Sequence, residues 1–208
     1  MVLTTPAYRK EALRLVVKEA NRVALDLQLS ELLPILETNL LEIYITPPRM
    51  DQGMKAIGSI TTSNYTYFVS VGNKFSSLVR NKLEREYGEL QKKYLWPMNQ
   101  ADTNAAYQLA TQILTTASMD VAALNRDGSV LINAFTPEGK NGKHFVPVYW
   151  VSWIKAREVG TLASLELLLP TKTIRRLHVN KSEYILRKPL EITNADFLLS
   201  QTNAPAKP

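Results

Sequence analysis

The 208-residue chain is predicted to be an α+β protein of two similar lobes, each a long helix packed on an antiparallel sheet. Three observations predict this. A long amphipathic helical stripe followed by Tyr/Val/Trp-rich strands occurs once before Pro97 and once after it, an approximate internal duplication. Within each half the apolar spacing switches from a period near 3.6 to a period of 2. The chain is also long enough to bury a core without metal or disulfide staples, and it contains no Cys. The expected lobes are residues 1–96, including a connecting helix at about 75–95, and 97–199, with a flexible tail at 200–208.

Thr5-Pro6 begins the first helix, because a Thr side chain satisfies orphan N–H groups at the N-cap and Pro loses nothing at the first helical position. Leu13, Val16, Val17, Ala20, Val23, Ala24 and Leu27 then recur at helical spacing, giving a helix from Pro6 to Leu29. Leu41-Glu42-Ile43-Tyr44-Ile45 alternates as a short strand that stops at Pro47-Pro48. β-Branched and aromatic residues thicken from Ala56 to Val71, and Tyr65 to Val71 alternates as a strand. Gly72-Asn73 is either a hairpin turn into a strand over 74–80 or a loop ahead of a helix. The spacing of Phe75, Leu78, Val79, Leu83, Tyr87, Leu90 and Tyr94 favours a helix ending before Trp96-Pro97.

In the second half, Asp102 or Thr103 caps a helix from Asp102 to Ala117 whose inner face carries Ala106, Leu109, Ala110, Ile113 and Ala117. Asp127-Gly128 marks a turn, and Ser129 to Phe135 is a strand ending at Pro137. His144 to Ile154 is apolar on both alternating sets, as in a strand covered on both faces. Ala163 to Leu169 and Ile174 to Val179 form an antiparallel pair around Pro170-Thr171-Lys172, and Tyr184 to Leu186 is a shorter strand candidate. Asn194 can cap a helical turn through Leu199.

The segments Thr103 to Ala110, Phe145 to Trp153 and Leu165 to Leu177, taken in this order, resemble PepSY-type modules, small α+β units often repeated in secreted bacterial proteins. The resemblance covers the second half and, more loosely, the first. It implies a non-catalytic inhibitory or regulatory role. That family tends to place Gly in the turn between its last two strands, where this chain has Pro170-Thr171-Lys172.

Composition narrows the chemistry. Absent Cys excludes thiolate nucleophiles, CxxC redox motifs and thiolate zinc sites. His144 and His178 lack a second ligand at metal-binding spacing, and no GxSxG, SxxK or phosphate-binding glycine loop occurs. Glu84, Glu86 and Glu89 alternate with Arg and Lys as ordinary helical ion pairs. No catalytic, metal-binding or cofactor-binding residue is therefore expected. No apolar run approaches the roughly 20 residues that span a bilayer, and Met1 to Pro6 lack the charged and apolar regions of an export signal. Absent Cys and the PepSY-like look tilt the expected compartment toward periplasmic or secreted.

The net charge of +6 raises the question of polyanion binding. Its one compact basic candidate is Arg175, Arg176, His178, Lys181 and Arg187, with Arg176 and His178 on the same side of a strand. Tyr149, Trp150 and Trp153 could form an aromatic surface beside Lys155 and Arg157, although alternation sends Trp150 and Trp153 to opposite faces. Folding signals account for nearly every informative residue, so the expected function is non-enzymatic recognition of another protein through a sheet face or edge. Polyanion or nucleic-acid binding is the alternative.

Overall fold

Thr5 caps the first helix as its sequence requires, its Oγ1 accepting from the Tyr8 N–H at 3.2 Å. The structure, a computed structural model, describes residues 5–46, 58–138, 142–155 and 160–192. Helix α1 runs Pro6–Asp26 and buries Ala12, Val16, Ala20, Val23 and Ala24 on one stripe. Strands β1 (Glu42–Ile45), β2 (Gly58–Thr61), β3 (Tyr65–Val69) and β4 (Phe75–Arg80) follow as an antiparallel meander. Helix α2 (Leu83–Lys93) and the two-residue strand β5 (Trp96–Pro97) lead into α3 (Thr103–Thr116) and α4 (Val121–Asp127). A second antiparallel meander closes the described chain: β6 (Ser129–Phe135), β7 (His144–Ile154), β8 (Thr161–Leu168) and β9 (Thr173–Val179).

The two meanders do not form separate sheets. β4 pairs with β9 antiparallel, so the order β1-β2-β3-β4-β9-β8-β7 is one sheet, with β5 and β6 both paired to the far side of β7. This corrects the expectation of two lobes with a sheet each. The register shows how the halves meet. Ile43, Ile60, Tyr67 and Leu78 are successive partners across the first meander, and Leu177, Leu165, Val151 and Ile132 are successive partners across the second. Leu78 faces Leu177 at the join. The row is therefore related to itself by a local twofold through the Leu78–Leu177 pair, strand for strand.

The six inner members of this row are essentially inaccessible to solvent. They share one continuous core with Val16, Ala20 and Val23 of α1 and Ala106, Ala110 and Leu114 of α3, so both long helices cover the same face. On the opposite face α2 lays Tyr87 and Leu90 over Val146, Val148, Trp150 and Leu168. β7 is thus covered on both faces at that end, which is why both of its alternating sets are apolar. Gly58 sits where β1 crosses closely: a Cβ there would lie 2.6 Å from the Tyr44 carbonyl oxygen.

Two further expectations need correction. Residues 75–80 are strand rather than the start of the connecting helix, because hydrogen-bonding partners on both sides, β3 and β9, outweigh a helical spacing that is indifferent at this length. The helix begins only after Lys82, which takes a left-handed conformation at φ 62°. Tyr184 to Leu186 is not a strand: Ser182–Tyr184 is a 3-10 turn, followed by a single bridge between Ile185 and Met119. The helical turn expected at Asn194 to Leu199 and the tail at 200–208 lie outside the described residues.

Candidate functional site

The basic cluster read from the sequence is not a basic cluster in the fold. A bulge in the pairing of β8 with β9 turns Arg175 and Arg176 toward the same carboxylate, that of Glu166. Arg175 is 1% exposed, and its guanidinium is consumed internally. Its Nε donates to Glu166 Oε1 at 2.9 Å, one terminal nitrogen donates to Glu86 Oε2 at 2.8 Å, and the plane lies 4.6 Å over the Tyr87 ring. Arg80 donates to the other Glu86 oxygen at 2.9 Å. The result is an alternating chain of Arg80, Glu86, Arg175 and Glu166 that fastens α2 to β4, β8 and β9.

Of the remaining members only Arg176 touches this network, and the other three lie apart from it. Arg176 is half exposed with its Nε 4.0 Å from Glu166, and His178 pairs with Asn180 farther along β9. Lys181 precedes the 3-10 turn, and Arg187 lies exposed near Ser118 with a 3.4 Å contact to its hydroxyl. The fold therefore brings Arg175 and Arg176 together with two carboxylates, and it does not converge the five residues on one anion.

The aromatic candidates divide as alternation requires. Trp153 is fully buried and donates its indole N–H to Asn125 Oδ1 at 2.7 Å, and Tyr149 is buried with its hydroxyl accepting from the Asp102 N–H at 2.9 Å. Both hold the helical face. Trp150 lies on the other face, stacked with Tyr87 at 6.3 Å and edge-on to Phe135 at 6.0 Å. These residues are packing elements and do not form one aromatic surface.

Tyr87 also donates to Glu166, so the buried carboxylate is held by a phenol and a guanidinium at once. Burial, reinforced by that hydrogen bond, pushes the Tyr87 hydroxyl up to about 12. In an unfolded chain a Tyr titrates near 10. The raised native value means that the contribution is complete below about pH 10 and is lost as pH climbs toward 12. Urea midpoints should accordingly fall across that alkaline window, and Tyr87→Phe should flatten the fall while lowering neutral-pH stability by about 1.5–3 kcal/mol for a hydrogen bond to a charged acceptor.

The surface that sequence reasoning missed lies at the first edge of the sheet. Between Leu25 and Thr46 the chain carries Asp26, Glu31, Glu37 and Glu42 and no Lys, Arg or His, within a protein of net charge +6. It is anchored inward at two points, Glu31 and the Ile35 backbone, while Glu37 and Glu42 stay exposed. Glu31 Oε1 accepts from Thr62 at 2.6 Å and from Tyr67 at 3.0 Å, while Asn21 Oδ1 accepts from the Ile35 N–H at 2.7 Å and its Nδ2 donates to the Ile35 carbonyl at 2.9 Å. Burial, with the Glu31 charge added, raises the Tyr67 hydroxyl far above its ordinary value.

With Ile35 and Leu29 buried and those anchors made, several other leucines of the segment face out. Leu32 is 75% exposed, and Leu25, Leu36, Leu41 and Tyr44 are each more than half exposed. This inverts the usual arrangement of a surface loop. Large apolar side chains shown by a segment that is anchored to the core make this edge the candidate site for contact with another molecule. The signal was present in the sequence as a leucine-rich stretch holding only acidic charges. Among the described residues no three His, Asp or Glu side chains are placed to hold a metal ion, and no helix is long and apolar enough to cross a membrane. No protein-family model, no curated protein and no solved structure matches this chain.

Proposed function

We propose that the protein is a non-enzymatic binding or regulatory module that docks another protein on the leucine-rich, acidic surface between Leu25 and Tyr44. The observation that carries this reading is the outward display of Leu25, Leu32, Leu36 and Leu41 by a segment whose Glu31 and Asn21 contacts are made inward. The charge of the segment sets the chemistry of the partner. Glu37 and Glu42 are exposed there with no neighbouring base in sequence, so the complementary element is an apolar stripe flanked by Lys or Arg, as in an amphipathic helix laid in a groove. The resemblance to PepSY-type modules points the same way, toward a non-catalytic role. Polyanion binding is disfavoured because its most central residue, Arg175, is bound to two carboxylates.

The test uses a basic Leu/Lys amphipathic peptide as probe, titrated by fluorescence anisotropy. Binding should weaken at least tenfold in Leu32→Asp and Leu36→Asp, whose unfolding midpoints should stay within about 0.5 kcal/mol of the parent because both side chains are already in solvent. Equal binding by parent and variants would refute the assigned surface. Turnover of a substrate in a broad hydrolase screen, abolished by a point change that leaves the fold intact, would refute the non-enzymatic reading.

A further inference from the structure

The two ends of the sheet are equivalent by the local twofold but are not protected alike. β1, at one end, is four residues long, contains Glu42 and is followed by Pro47-Pro48 in the sequence. β6, at the other, is seven residues long, Ser129-Val130-Leu131-Ile132-Asn133-Ala134-Phe135, with no charge and no proline. Among the described residues its outer backbone groups have no strand partner, and Val130 and Leu131 are 37% and 48% exposed. Proteins ordinarily guard an open edge with charge, proline or shortness, and β6 has none of these.

A second feature lies beside it. Thr103, Asn104 and Tyr107 of α3, with Val130 and Ile132 of β6, line an open groove of about 350 Å³ along the edge. A strand added to β6 would send alternate side chains into that groove, which is how strand addition gains specificity beyond its backbone bonds.

We propose that the occupant is β6 of a second copy, paired antiparallel about a twofold at Ile132. The strand is self-complementary in this register: Ile132 meets Ile132, Val130 meets Ala134 on the helical face, and Leu131 meets Asn133 on the other. No like charges are opposed. The ends bear on the direction as well: parallel pairing would set Arg126 beside Arg126 and Glu138 beside Glu138, whereas antiparallel pairing brings Glu138 of one copy toward the exposed Arg126–Asp127 ion pair of the other. The apolar row that crosses the sheet is buried at its centre and only partly covered at Ile132. Pairing of two copies carries the row across a twofold of the kind already present between Leu78 and Leu177.

The chain has no Cys, so one introduced thiol reports on this geometry alone. Ile132→Cys sits on the proposed axis, within the roughly 4.4–6.8 Å between Cα atoms that a disulfide spans. Val130→Cys is two residues from the axis, which separates the paired Cα atoms by roughly 13 Å or more. Under mild oxidation Ile132→Cys should give covalent dimer at least ten times faster than Val130→Cys. The unmodified chain should show dimer by sedimentation equilibrium at roughly 100 µM, since a single strand pair is a small interface, and Val130→Lys should be monomeric with an unchanged circular dichroism spectrum. Equal cross-linking at the two positions, or a monomer throughout, overturns the proposal. Leu36→Asp should leave the cross-linking unchanged, so failure here and failure of the proposed docking surface are separable.

Discussion

Arg175→Ala is expected to lower stability by about 3–5 kcal/mol, the cost of leaving a buried charge without its partner. The charge left behind is Glu166, itself 2% exposed, with only the Tyr87 hydroxyl and a 4.0 Å contact to Arg176 remaining. Glu86, by contrast, keeps Arg80 and has access to solvent. For a domain of this size the loss corresponds to a fall in melting temperature of about 10 °C. A companion variant separates charge from packing. Replacing both partners with apolar residues, Arg175→Met with Glu166→Leu, removes the orphaned charge and should recover most of the loss, because a buried pair exchanged for well-packed apolar groups is close to neutral. Urea unfolding of the parent, the single and the double variant decides the matter. If the single change costs less than 1 kcal/mol, the network does not hold α2 to the sheet.

Ile60→Ala should cost about 2–5 kcal/mol, as expected for a fully buried aliphatic side chain that leaves a cavity. Ile60 lies on β2 between Ile43 and Tyr67, under α1 and two strands from the β4–β9 join. The strands paired with β2 are β1 and β3, both in the first meander. The size of the loss depends on how far that meander can collapse, and it has little room to do so, since the cross-sheet row is continuous from Ile60 to Val151 and packed on its upper side by both long helices.

Local structure was legible where local chemistry decides it. The Thr5 cap, the Asp102 cap, whose Oδ1 accepts from the Ala105 N–H at 2.8 Å, and the alternation through β7 were readable from spacing and residue type. The opposite orientations of Trp150 and Trp153 followed from the same alternation. What could not be read depends on partners distant in the chain. β4 reads as helix by its spacing and is strand because Ser77, Leu78 and Val79 pair with His178, Leu177 and Arg176. That contact, about a hundred residues away, also merges the two predicted sheets.

Arg175 is illegible for a related reason: one extra residue at the β8–β9 bulge turns it toward Glu166, and no alternation rule reveals a bulge. A lone Glu within the apolar run Ser164 to Leu169 was the available hint, since an acid there needs a buried partner. The leucine-rich edge is hard to read because exposed leucines have the same sequence pattern as core leucines, and only the anchors of Glu31 and Asn21 separate them.

The central claim is that two meanders and their helices form one sheet and one core through the β4–β9 join. All three tryptophans, Trp96, Trp150 and Trp153, lie on or beside β7 in the second half, whereas Ile60 lies in the first. Tryptophan fluorescence of the Ile60→Ala variant during urea unfolding therefore reports how far a first-half injury travels. The predicted result is a single transition whose fluorescence midpoint falls by the same amount as the midpoint read by far-ultraviolet circular dichroism. A fluorescence midpoint that stays at the parent value while the dichroism signal splits into two steps would contradict it.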